Sequence, residues 1–105
     1  MGWYQARKTD RSEDPLLEAV IPAESHAPHL AMIRSVFETP ASIAITPMQD
    51  LLGLGNEARM NTPGEASGNW GWRCRPEQLS VEVAHQLLSI TESTHRVANV
   101  AAATL

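Results

Sequence analysis

Only one segment of this 105-residue chain reads as a β-strand, and that limits the folds open to it. Residues 42–46 spell Ser-Ile-Ala-Ile-Thr, short and β-branched between Pro40 and Pro47, the pattern of a strand buried on both faces. Helical patterns lie on either side, which is the rhythm of a βα unit in a parallel sheet. One strand makes no sheet. The expectation is a mostly helical α/β chain with about one buried strand, whose two edges need partners that the rest of the sequence does not supply.

The helical segments have recognisable ends. Trp3 and Tyr4 precede a mixed-charge run over residues 7–14 that suits a solvated surface. Asp14-Pro15 then reads as a helix start, with Asp as cap and Pro where its missing N–H costs nothing. Leu16, Leu17, Val20 and Ile21 supply its apolar face, and Pro22 ends it. From about residue 27 to 38, Leu30, Ile33 and Phe37, joined by Met32 and Val36, recur at spacings of three and four and mark a second helix. Thr39-Pro40 stops it, because the residue before a proline avoids the α region. Residues 49–52 suggest one helical turn ended by Gly53 and Gly55, both suited to positive φ. Ser80 caps a last helix, with Glu82 in its first turn and Ala84, Leu87, Leu88 and Thr91 on one face; residues 97–105 read as a fraying tail.

Between these helices, residues 56–75 hold Gly64, Gly68 and Gly71 with Pro63, a loop long enough to suggest function rather than connection. Sugar sites need planar amides and carboxylates to meet hydroxyl pairs, and flat aromatic faces for the apolar side of a pyranose. The loop offers Asn61 and Asn69, Glu57, Arg59 and Arg73, and Trp70 and Trp72. Composition alone is weak evidence, since tryptophan more often anchors a core.

The order of the residues is more specific. Gln49-Asp50-Leu51-Leu52-Gly53-Leu54-Gly55, then Glu57-Ala58-Arg59-Met60-Asn61, Pro63-Gly64, Gly68-Asn69-Trp70 and Trp72-Arg73 resemble amylomaltase, the 4-α-glucanotransferases of glycoside hydrolase family 77. A weaker likeness covers residues 32–36 and the helix from Ser80, so the resemblance spans roughly residues 26–96. It implies a single partial domain over residues 1–105, the C-terminal βα portion of a (β/α)8 TIM barrel that is incomplete in this chain. In the family the Met-Asn-x-Pro-Gly loop helps line the glucan cleft. Asn61 is therefore the implied hydrogen-bonding residue, and Gly64 the point where a substrate can approach the backbone. Gln49 and Asp50 fall at the C-terminal end of the last strand, the face where barrel enzymes place their sites. Asp50 equally suits a helix cap or a partner for Arg59, and Asn69, Trp70, Trp72 and Arg73 suit loop bracing.

Retaining transfer needs a carboxylate nucleophile and a carboxylic acid about 5 Å apart, to which the family adds a third acid. All three stand on earlier barrel strands, the last just before a Gly-Trp pair that Gly2-Trp3 resembles. No catalytic residue carries over. Asp50 and Glu57 lie on either side of the Gly53 turn, and the sequence shows nothing that would keep either protonated at neutral pH.

The resemblance implies malto-oligosaccharide or α-glucan as substrate of the complete enzyme, an upstream barrel polypeptide as possible partner, and no cofactor. The isolated chain is expected to be inactive. The alternative is a small non-catalytic maltodextrin-binding or helical interaction protein built on the same segment. A net charge of −4 without a basic patch argues against nucleic acid, and no window approaches the roughly 20 apolar residues that span a bilayer. A cytoplasmic protein is the expectation. Cys74 has no second thiol for a disulfide or metal pair, and His26 and His29 have no Cys or acidic cluster to complete a metal site.

Overall fold

A computed structural model describes residues 1–7, 15–21 and 26–98. It contains α1 (Gly2–Arg7), α2 (Pro15–Val20), α3 (Pro28–Phe37), α4 (Met48–Leu51) and α5 (Val81–Ser93), with short 3₁₀ turns at Asn56–Ala58 and Pro76–Gln78. α3 is the centre of the arrangement, packing against α2, α4 and α5.

The boundaries of α3 follow from its ends. Pro28 opens it after Ala27, and Glu38 closes it. The Thr39 backbone N–H and hydroxyl both donate to the Val36 carbonyl, at 3.2 and 2.8 Å, closing the last turn before Pro40. Its apolar stripe serves two cores. Ile33 and Phe37 join Leu51 of α4 and Ile90 of α5, with Leu30, Ala44, Met48, Val83 and Leu87 packed around them. Ala31 and Met32, on the neighbouring face, cover Tyr4, Leu17 and Ile21. Helix α1 was not foreseen from the sequence; its Tyr4 is one of the buried residues. Asp14, Pro22, the charged run over residues 8–14 and the tail from residue 99 lie outside the described residues.

The expected buried strand does not form. Residues 42–46 have no regular structure, and Ile43 and Ile45 are 77% and 83% exposed. The alternation of a strand survives, since Ala44 between them packs on the α3 core. What is missing is a partner: no strand occurs among the described residues, so the backbone of this segment has no ladder to join. The expected face of α5 is also shifted. Val83, Leu87 and Ile90 point inward, whereas Ala84 and Leu88 are exposed. The start of α5 is as expected, with the Ser80 hydroxyl accepting from the Val83 N–H at 3.1 Å.

Both cores are thin. The radius of gyration is 16.1 Å, against about 13 Å for a compact domain of this length. No polar or charged side chain is buried among the described residues.

Candidate functional site

The site is built around α4. Leu51 is buried and fixes this short helix to α3, which leaves Gln49 and Asp50 half-buried on its outer side. Gly53 takes φ +71°, a conformation open to glycine, and turns the chain back; Gly55 stays at φ −93°, so only the first of the two expected turn glycines uses that freedom. The 3₁₀ turn that follows inserts a fully buried Ala58, and the Gln49 side chain donates to the Ala58 carbonyl at 3.3 Å. Helix and turn thereby enclose an open cavity of about 430 Å³ lined by Trp3, Gln49, Asp50, Asn56, Met60 and Asn61 among others.

Gln49, Asp50 and Asn61 thus share one cavity, although twelve positions separate Asn61 from Gln49 in the chain. Gly64 is not part of its lining. It stands in the loop beyond, at φ +87° with nothing within 4 Å of where a Cβ would project. The space beside this glycine is open, and it lies away from the cavity wall.

Asn61 is held by its main chain and left free at its tip. The Arg59 side chain donates through Nε to the Asn61 carbonyl at 2.8 Å, which sets the peptide, while the exposed amide makes no hydrogen bond among the described residues. The loop beyond is closed by Asn69. Its Oδ1 accepts from the Thr62 N–H at 2.8 Å and its Nδ2 donates to the Glu65 carbonyl at 3.0 Å. The Trp70 N–H donates to the Met60 carbonyl beside these bonds, and Trp70 itself sits at φ +60° and is 64% exposed. The Arg73 guanidinium donates to the Trp70 and Trp72 carbonyls. Bracing is therefore what Asn69 and Arg73 do here.

The Asp50 carboxylate neither caps α4 nor pairs with Arg59. It accepts from the Met1 amino group at 3.1 Å. Burial lowers the His29 pKa below its ordinary 6.5; nearby Asp50 opposes that shift and the Met1 amine adds to it. Glu57 is lowered too, because its carboxylate accepts backbone hydrogen bonds from its own N–H and that of Gly55. A carboxylate held in that form is an acceptor and not a proton donor, so Glu57 does not suit the acid of an acid/base pair. The site can offer amides and a carboxylate to hydroxyl groups. Among the described residues no group of three His, Cys, Asp or Glu could hold a metal ion, and the half-buried Cys74 thiol donates to the neighbouring Arg75 carbonyl at 3.6 Å. Trp3 also lines the cavity; the sequence marked it only as half of the Gly2-Trp3 pair, and nothing there linked it to residues 49–61.

The sequence profile of the 4-alpha-glucanotransferase family matches residues 1–80. The chain belongs to that family. The match begins at the first residue and so takes in α1 and α2, beyond the span from residue 26 that the motifs had marked. A 4-alpha-glucanotransferase of Synechocystis sp. is 40% identical over 92 residues, 88% of this chain and 18% of the relative. One from Streptococcus pneumoniae is 36% identical over 97 residues, 92% of this chain and 19% of its own length. One from Thermus thermophilus is 45% identical over 67 residues, 64% of the chain and 13% of the relative. The chain therefore spans less than a fifth of the length of these curated relatives. No solved structure matches it at a significant level. No helix among the described residues is long and apolar enough to cross a membrane.

Proposed function

We propose that this 4-alpha-glucanotransferase chain is the C-terminal, glucan-binding portion of a (β/α)8 barrel that moves α-1,4-glucan segments between malto-oligosaccharides with retention. Residues 1–105 form one partial domain in this reading. The observation that carries it is the meeting of Gln49, Asp50 and Asn61 in one open cavity, in a chain whose family acts as glucanotransferases by name. Asn61 presents a free amide to a sugar hydroxyl pair, Gln49 and Asp50 line the same cavity, and Gly64 leaves the outer loop open to a second sugar ring.

The chemistry comes from elsewhere. Retention needs two carboxyl groups about 5 Å apart, one of them protonated, and Glu57 is held as the carboxylate. The isolated chain is accordingly inactive in transfer. An upstream barrel polypeptide is the partner this implies, and a cytoplasmic location belongs to the same proposal.

A chimera tests it: this chain replaces the matching stretch of the Synechocystis relative, and maltotriose disproportionation is followed. The isolated chain gives no product and the chimera does. Asn61→Ala in the chimera raises KM about fivefold, the value of one hydrogen bond near 1 kcal/mol. Unchanged KM in the alanine variant contradicts the assignment of Asn61, and glucose release by the isolated chain contradicts the division of labour.

A further inference from the structure

We infer that Asn69 is a positioning residue for the sugar-binding amide of Asn61, an inference that rests on the reading above. Asn69 does not line the cavity. It acts on the loop from inside: Oδ1 takes the Thr62 N–H, adjacent to Asn61, and Nδ2 gives to the Glu65 carbonyl three residues further on. Only a side chain that donates at one end and accepts at the other satisfies both groups. Two further contacts complete the frame. The Arg59 guanidinium holds the Asn61 carbonyl at 2.8 Å, and the Trp70 N–H meets the Met60 carbonyl, so residues 60–62 are fixed from both ends.

The consequence concerns preorganisation. Glycines 64 and 68 take φ +87° and +81°, so the loop contains two residues with wide conformational freedom, and nothing lies within 4 Å of the Cβ positions they lack. Without a cross-brace such a loop samples many shapes, and a ligand must then bear the entropy of ordering it. The Asn69 amide removes that cost before the sugar arrives.

The test is a double-mutant cycle on the 105-residue chain, with maltoheptaose affinity read from amide NMR titration. Asn69→Ala weakens binding about fivefold, as Asn61→Ala does, since each forfeits about one hydrogen bond's worth of affinity. If Asn69 acts through Asn61, the double variant is no weaker than Asn61→Ala alone. A general structural role gives additive losses instead. Asn69→Asp keeps the acceptor for Thr62 but sets a carboxylate against the Glu65 carbonyl, so it weakens binding as alanine does. Additive losses, or full affinity in Asn69→Ala beside weakened Asn61→Ala, overturn this inference and leave the proposed function standing. Absence of maltoheptaose binding by the unaltered chain overturns both.

Discussion

The Arg96 guanidinium lies 5.7 Å from the centre of the Phe37 ring and donates to the Phe37 carbonyl at 2.8 Å, joining two residues 59 positions apart. The same guanidinium reaches the Thr39 and Ala41 carbonyls at 3.1 and 2.8 Å. One side chain therefore ties the end of α5 to the exit of α3 and to the approach of residues 42–46.

Arg96→Ala should lower stability by about 1–2 kcal/mol, since charge-assisted hydrogen bonds are lost but the outer carbonyls are partly wet and recover water. Arg96→Lys should rescue little, because a point charge does not serve three carbonyls at once. Thermal unfolding followed by circular dichroism measures both. A lysine variant as stable as the parent contradicts the multidentate role.

Gly53→Ala should destabilise the α4 turn by about 1–2 kcal/mol, the cost of left-handed φ for a residue with a Cβ. The added carbon would also lie 3.0 Å from the His29 ring. Gly64→Ala pays the backbone cost without the contact, since open space surrounds that position. Comparing the two melting temperatures separates the terms: Gly53→Ala should be the lower.

The helices were legible in the sequence wherever periodicity and punctuation agreed. Leu30, Ile33 and Phe37 marked the inner face of α3, and Thr39-Pro40 its end. Ser80 marked the start of α5. Within α5 the expected face of Ala84, Leu87, Leu88 and Thr91 shares Leu87 with the observed face of Val83, Leu87 and Ile90; the small rotation between them was not legible, because both satisfy helical spacing and only the facing Ile33 and Phe37 decide it. Helix α1 was hidden because Tyr4 is its one large buried side chain among the described residues, too little for a periodic signal. The strand failed for a different reason. Residues 42–46 have the composition of a strand, but pairing is a property of two segments, and the second is absent among the described residues. Gln49, Asp50 and Asn61 were named from motif order; their common cavity depended on the Gly53 turn and the buried Ala58, which tertiary packing sets.

Acid should weaken the fold in two steps. The folded-state pKa of His29 lies below 6.5, so in that window the unfolded chain binds a proton that the folded chain does not. Its contribution is present above 6.5 and lost as pH falls through the folded value. Glu57, lowered from 4.5, contributes above 4.5 and loses that contribution further down. Melting temperature should fall from pH 7 towards pH 5, and His29→Gln should flatten that first step only. A first step of equal size in the glutamine variant contradicts the assignment to His29.

On the proposed reading, this chain binds glucan at the cavity of Gln49, Asp50 and Asn61 and leaves the transfer chemistry to residues outside it. Amide NMR of the unaltered chain, recorded with rising maltoheptaose, tests it most directly. Dispersed peaks are expected, with the Asn61 side-chain amide and the neighbouring Gln49 and Met60 signals moving in a saturable way. Dispersed peaks that stay fixed at these residues throughout the titration would contradict it.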